Sequence, residues 1–346
     1  MTRSLLILSS VILSSVIMMA NNLRAEQATI KHVGEVKRVD PAIDALIPTD
    51  AKIELLAEGF DWSEGPVWVN QQGGFLLFSD VPANIVHQWS EVGGLRQWLK
   101  PSGYTGATSR GGESGSNGLT VDPKGRLVLC QHGDRRVARM DAPWPAPTAN
   151  FVTLAERCDG KRFNSPNDLV FHSSGALYFT DPAYGMVGGF SDPTRETDYL
   201  GVYRVSPDGE VTLLTDQRTR PNGIAFAPDE KTLYIAQSDQ EAPHIYAYDV
   251  QGDGSIANER IFFDASELAK NNQGMPDGLK LDQAGNLFAT GPGGVLVISP
   301  AGEYLGTIST GQRISNCAFG DDGKTLYMTS DMYLARIRLA TRGDGF

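Results

Sequence analysis

Cysteine is scarce in this chain of 346 residues. Its three copies, Cys130, Cys158 and Cys317, are too few and too scattered for a disulfide framework, so each reads as a small buried hydrophobe. There is no Gly-x-Ser-x-Gly elbow, no His-Glu-x-x-His and no Cys-x-x-Cys, which removes the usual serine hydrolase, the zincin and the thiol redox enzyme. Positive charge is also short: 30 Lys and Arg stand against 41 Asp and Glu, a net charge of -11 with no basic run. That excludes a nucleic-acid surface, which needs a local excess of Lys and Arg. Beyond Met19 no stretch is apolar enough to span a bilayer, so no membrane span is expected in the mature protein.

The one long apolar run, Leu5 to Met19, follows Thr2-Arg3 and precedes Ala20 and Ala25, the layout of a secretory signal peptide over residues 1–25. Export to the periplasm or the medium is the expectation. Residues 26–50, broken by Asp40-Pro41 and Pro48, read as an irregular lead-in lying across the outside of the domain. The remainder, 51–346, is Gly-rich and turn-rich enough for many short strands, since most of the chain's 38 Gly and 19 Pro fall there.

Six short motifs begin alike, with a turn residue, an amide or carboxylate, usually a small residue, and then an apolar strand. They are Ser63-Glu64-Gly65, Ser116-Asn117-Gly118, Pro166-Asn167-Asp168, Pro221-Asn222-Gly223, Pro276-Asp277-Gly278 and Ser315-Asn316-Cys317. Spacings between the polar residues are 53, 50, 55, 55 and 39, the range of propeller blades. Each motif is preceded by one strand and followed by a strand, an Asp- or Gly-rich turn and two further strands. This predicts an all-β fold, a six-bladed β-propeller. Lys52 to Ala57 is a strand with no earlier blade to join, and too little chain follows Leu339 for a fourth strand, so the N-terminal strand is expected to complete the last blade and close the ring.

In such a ring the motif starts face one mouth of the central channel, bringing Glu64, Asn117, Asn167, Asn222, Asp277 and Asn316 together. Two carboxylates and several amide oxygens make a hard-oxygen site suited to Ca²⁺ or Mg²⁺. Turn formation alone explains Asn and Asp at a strand entry, but it does not explain Glu64. The loops after the second strands should surround the same mouth, which makes His132, Asp181 and Tyr184 substrate contacts beside Asn117, with Asp80 and Asp239 bracing loops.

The motifs Trp62-Ser63-Glu64-Gly65-Pro66-Val67-Trp68, Phe163-Asn164-Ser165-Pro166-Asn167-Asp168, Arg220-Pro221-Asn222-Gly223 and Met275-Pro276-Asp277-Gly278 resemble the SMP-30/gluconolactonase/LRE-like family of six-bladed propellers. Phe78 to Asn84, Gln131-His132-Gly133 and Tyr178 to Pro182 are similar to its bacterial, gluconolactonase-like branch. The resemblance implies one divalent cation, foremost Ca²⁺ with Mg²⁺, Mn²⁺ and Zn²⁺ as other candidates, held by Glu64, Asn167, Asn222 and Asp277. It also implies that Asp277 is catalytic and that the substrate is a small lactone. Animal members carry Arg two residues before the position of Asn167, where this chain has Ser165, so their sugar-lactone preference does not transfer. The expected activity is metal-dependent opening of a sugar lactone by water. Another esterase or phosphotriesterase on the same scaffold, or an exported binding propeller with a structural cation, are the competing readings.

Overall fold

The second strand of every repeat is a continuous apolar run, such as Phe75–Asp80, Leu177–Asp181 or Leu287–Gly291, and each of these three is buried along its whole length. A strand that is apolar at every position must be covered on both faces. A ring of sheets packed face against face meets that demand, because each sheet lies between two neighbours. The computed structural model describes residues 30–346, and the account below concerns the unit from His32 to Phe346. The signal peptide expected over 1–25 lies outside the described residues.

Among the described residues six larger antiparallel sheets follow one another along the chain, with a two-stranded ribbon, Arg157–Cys158 with Lys161–Arg162, between the second and third. Blade 1 runs from Ser63–Val69 to Gly94–Leu99, blade 2 from Ser116–Val121 to Phe151–Ala155, and blade 3 from Leu169–Phe171 to Val211–Thr215. Blade 4 runs from Pro221–Phe226 to Ile256–Asp264, and blade 5 from Leu279–Leu281 to Tyr304–Ser309. Blade 6 holds Asn316–Gly320, Thr325–Ser330 and Tyr333–Arg338, and its next strand is Ile53–Glu58, paired antiparallel with Tyr333–Arg338. Arg336 binds Glu54 across that last pairing at 2.7 Å. The first and last parts of the domain therefore share one sheet.

The lead-in differs from expectation. Glu35–Arg38 is a strand hydrogen-bonded to Tyr304–Ser309 as a further edge of blade 5, and Pro41–Ala45 is a 3-10 helix capped by the Asp40 side chain. The breakers Asp40-Pro41 start that helix instead of preventing structure, since Pro is tolerated in a first turn. Ile43 and Ile47 are then fully buried among Val295, Leu305 and Ile337, so this segment contributes core instead of merely crossing the outside.

Turn chemistry repeats as well. Asp122 accepts hydrogen bonds from the backbone N–H of Lys124 and Arg126, and Asp282 accepts from Ala284 and Asn286 at the same place in its own blade. The three cysteines are free and buried. Among the described residues no helix is long and apolar enough to cross a membrane.

Candidate active site

The inner strands are stitched to one another by a closed circuit of short hydrogen bonds. Ser79 Oγ of blade 1 donates to the carbonyl of Asn117 at 2.9 Å, and the Gly118 N–H donates to that of Asn167 at 2.7 Å. Thr180 Oγ1 donates to the carbonyl of Asn222 at 2.7 Å, Ser238 Oγ to that of Pro276 at 2.6 Å, and Thr290 Oγ1 to that of Ser315 at 2.8 Å. Ser315 Oγ donates in turn to the carbonyl of Ser63 at 2.6 Å, returning to blade 1. Every motif is thus fixed through its backbone by a neighbouring blade, which frees its polar side chain to face the axis.

The glycine in four of the six motifs has the same origin. At Gly65 (φ +49°) a Cβ would lie 2.0 Å from the Asn117 carbonyl oxygen, and at Gly278 it would lie 2.0 Å from Asn316 Oδ1. Successive blades approach too closely there for any side chain.

A cavity of about 290 Å³ opens at this mouth, and Glu64, Asn117, Asn167, Asn222 and Asp277 line it together. Asn222 Nδ2 donates to Ser238 Oγ at 2.8 Å, and its Oδ1 accepts from Asn167 Nδ2 at 2.5 Å. The Asn117 side-chain oxygen is buried without a hydrogen-bond partner. Burial pushes the Glu64 carboxyl up to about 8 against the pull of the Gly65 N–H, with the Asp168 and Glu113 carboxylates pushing the same way. Asp277 is raised well above the ordinary carboxylate range by burial and by Glu64 beside it. The neighbouring charges that act most on these two acids are other carboxylates. Among the described residues no three His, Cys, Asp or Glu gather as a metal cluster, so a cation here would draw on amide oxygens as well. Two acids, amide oxygens and an unpartnered buried oxygen suit a hard divalent cation, which relieves clustered negative charge.

The other expected site residues separate into two groups. Tyr184 lines the cavity, its hydroxyl buried without a hydrogen-bond partner and its pKa raised by burial and by Asp277. His132 and Asp181 do not line it. His132 is fully buried behind Asn167, and Asp181 is fully buried where it accepts from the Asn164 N–H at 2.7 Å and the Ser165 N–H at 2.8 Å. Both were expected as substrate contacts because the second strands end near the mouth. Their side chains instead turn into the wall, where unpaired backbone donors and Asn167 need them. Asn316 also lies outside the cavity lining, its oxygen accepting from the Cys317 N–H at 2.8 Å. Ser165 is buried, bonded to the Pro182 carbonyl and the Gly185 N–H, and reaches no substrate space. Asp80 braces a loop as expected, accepting from the N–H groups of Asp61 and Trp62.

The sequence profile of the SMP-30/gluconolactonase/LRE-like region matches residues 62–332. The chain belongs to the SMP-30/gluconolactonase/LRE-like family. A gluconolactonase from Zymomonas mobilis is 40% identical over 317 residues, covering 90% of this chain and 88% of that one. A pentonolactonase from Haloferax volcanii is 28% identical over 77% of this chain and 80% of its own. The solved structure of a gluconolactonase from Xanthomonas campestris superposes with a TM-score of 0.75 at 31% identity, covering 89% of this chain and 98% of that one.

Within this family site, Glu113, Arg220, Ser238 and Arg313 also line the cavity without having been singled out as site residues from sequence. Glu113 sits in a Gly- and Ser-rich loop that offers no periodic signal. Arg220 and Arg313 stand one and two residues before the motif starts Pro221 and Ser315, and that closeness to a recognised motif was the available clue.

Proposed function

We propose that this chain is a lactonase that opens a small sugar lactone with one divalent cation, Ca²⁺ before Mg²⁺, Mn²⁺ or Zn²⁺, held by Glu64, Asn167, Asn222 and Asp277. The observation that carries this reading is the convergence of those four residues on one cavity, with two acids raised by burial and by neighbouring carboxylates. The gluconolactonase and pentonolactonase relatives support the substrate class.

A cation bound by these residues supplies Lewis-acid polarisation of the lactone carbonyl. Asp277 is the general base: it takes a proton from water as the water oxygen bonds to the carbonyl carbon, and the proton passes to the ring oxygen as the C–O bond breaks. The product is the open hydroxy acid. Asn117 and Tyr184, each with an unpaired polar atom at the cavity wall, orient the sugar hydroxyls. His132 and Asp181 hold the wall in shape and touch no substrate. We infer export, periplasmic or extracellular, from the segment at residues 1–25.

The test is hydrolysis of glucono-1,5-lactone followed by pH-stat, with Ca²⁺ and with a chelator. Asp277→Asn should lower kcat by about 10²-fold or more, the usual worth of a general base. Full activity in that variant would remove the mechanism.

A further inference from the structure

Arg220 and Arg313, just before the inner strands of blades 4 and 6, line the same cavity as the acids and amides. Among the described residues neither guanidinium has a hydrogen-bond partner or an ion-pair partner within 4.0 Å, although the Arg220 charge helps hold the Asp239 carboxyl below its usual range from further off, whereas Arg38, Arg135, Arg136, Arg195 and Arg336 each bind two or more acceptors. Each of the two instead lies over an aromatic ring. The Arg220 guanidinium carbon is 4.8 Å from the Phe190 ring centre, and that of Arg313 is 5.3 Å from the Trp62 ring centre. Stacking fixes the plane of a guanidinium and leaves its N–H edge free, and that edge matches the oxygens of a carboxylate or phosphate.

Balance of the floor acids does not explain this arrangement. The neighbouring charges that act most on Glu64 and Asp277 are carboxylates, and neither arginine forms an ion pair with them. A neutral sugar would also leave two forked donors at the wall without an acceptor of matching charge.

We propose that Arg220 and Arg313 form an anion clamp, and that the preferred substrate is a sugar lactone carrying a carboxylate or phosphate at the end remote from the lactone carbonyl. This rests on the lactonase reading above. The ring carbonyl meets the floor residues while the remote anion meets the two N–H edges, so the clamp sets both affinity and the direction in which the lactone enters. It also supplies, from two other blades, the arginine that is missing at Ser165.

The experiment compares kcat/KM for glucono-1,5-lactone, 6-phosphoglucono-1,5-lactone and glucaro-1,4-lactone in the Ca²⁺-loaded wild type and in Arg220→Met and Arg313→Met. At least one anionic lactone should exceed the neutral one by tenfold or more, and each variant should reduce that ratio at least tenfold. The phosphate and carboxylate arms identify which anion is used. Calorimetric binding of glucarate, 6-phosphogluconate and gluconate reads the same clamp without turnover, each variant weakening one of the first two relative to gluconate. Turnover of the neutral lactone with no anionic preference, or a ratio that both substitutions leave unchanged, overturns the clamp and leaves the lactonase reading intact. Loss of all lactone turnover with glucarate or 6-phosphogluconate binding that depends on the arginines overturns the lactonase reading and supports the clamp.

Discussion

His132 Nε2 lies 3.2 Å from Asn167 Oδ1, and the Nδ1 on the other side of the same ring lies 3.3 Å from a Glu113 carboxylate oxygen. The imidazole is fully buried, so it can neither turn nor exchange these partners for water. It braces the Asn167 amide through Nε2, while Nδ1 makes no hydrogen bond and has the Glu113 carboxylate as its charged neighbour. Residues that orient a metal ligand in this way are worth about 10–100-fold in affinity or activity. His132→Phe keeps the ring shape and removes both nitrogens. We expect it to lower Ca²⁺ affinity and lactone kcat/KM by about that factor, measured by calorimetry and by pH-stat, while the far-ultraviolet spectrum stays that of the wild type. Unchanged Ca²⁺ affinity would show that Asn167 needs no such support.

Gly65 predicts a steric outcome. With φ +49° and a Cβ position 2.0 Å from the Asn117 carbonyl, alanine there must push blade 1 away from blade 2. Overpacking of this kind costs about 1–3 kcal/mol, and a strained positive φ adds to it. Gly65→Ala should therefore lower the denaturation midpoint in urea and reduce activity together. Gly311, at φ +85° with nothing within 4 Å, is the control, since alanine there meets only the backbone penalty. Equal losses at the two glycines would contradict the close-approach account.

Asp181 gives a pH dependence. Burial pushes its carboxyl up to about 7, against the hydrogen bonds from Asn164 and Ser165. Unfolded, it titrates near 4, so between about pH 4 and pH 7 the folded state holds a proton that the unfolded state releases. Its contribution is complete below the unfolded value and is lost as pH rises through the folded one. Asp181→Asn cannot titrate. The stability of the wild type relative to this variant should fall by up to about 4 kcal/mol from pH 4 to pH 8. Urea unfolding of both proteins at the two pH values measures it, and a difference that grows with pH would show that the Asn164 and Ser165 amides outweigh burial.

The six-fold repeat was legible because it rests on local chemistry. A continuous apolar run needs cover on both faces, and Asp122 or Asp282 closes a turn in the same way wherever it recurs. Glu64 was legible for the opposite reason, being a poor turn former in a turn former's place. The side-chain directions at His132 and Asp181 were not legible, because both residues answer to backbone donors and amides brought close only by folding. Asn164 precedes Asp181 by a full hairpin, and Asn167 belongs to a different blade from His132. Arg220 and Arg313 were hidden differently: an arginine beside a motif carries no sign of whether it will find a carboxylate, and these two find aromatic rings instead. The lead-in was not legible because a proline marks a break and the first turn of a helix equally well, and at Pro41 a capped 3-10 turn begins.

In the proposed site a cation holds Glu64 and Asp277 together in the cavity they line. Glu64→Gln preserves shape and removes the carboxylate that Ca²⁺ would bind, a buried negative charge above about pH 8 in the ion-free protein. Calorimetric titration of Ca²⁺ into wild type and Glu64→Gln, with the melting temperature of each followed with and without the ion, tests it most directly. The wild type should bind one Ca²⁺ per chain and melt higher when loaded, since binding to the folded state alone stabilises it. The variant should bind at least tenfold more weakly and, without the ion at pH 9, above the value of about 8 at which Glu64 gives up its proton, melt no lower than the wild type, because an uncompensated buried charge has gone. Equal Ca²⁺ binding by the two proteins, or no binding by the wild type to this or any other divalent cation, would contradict the account.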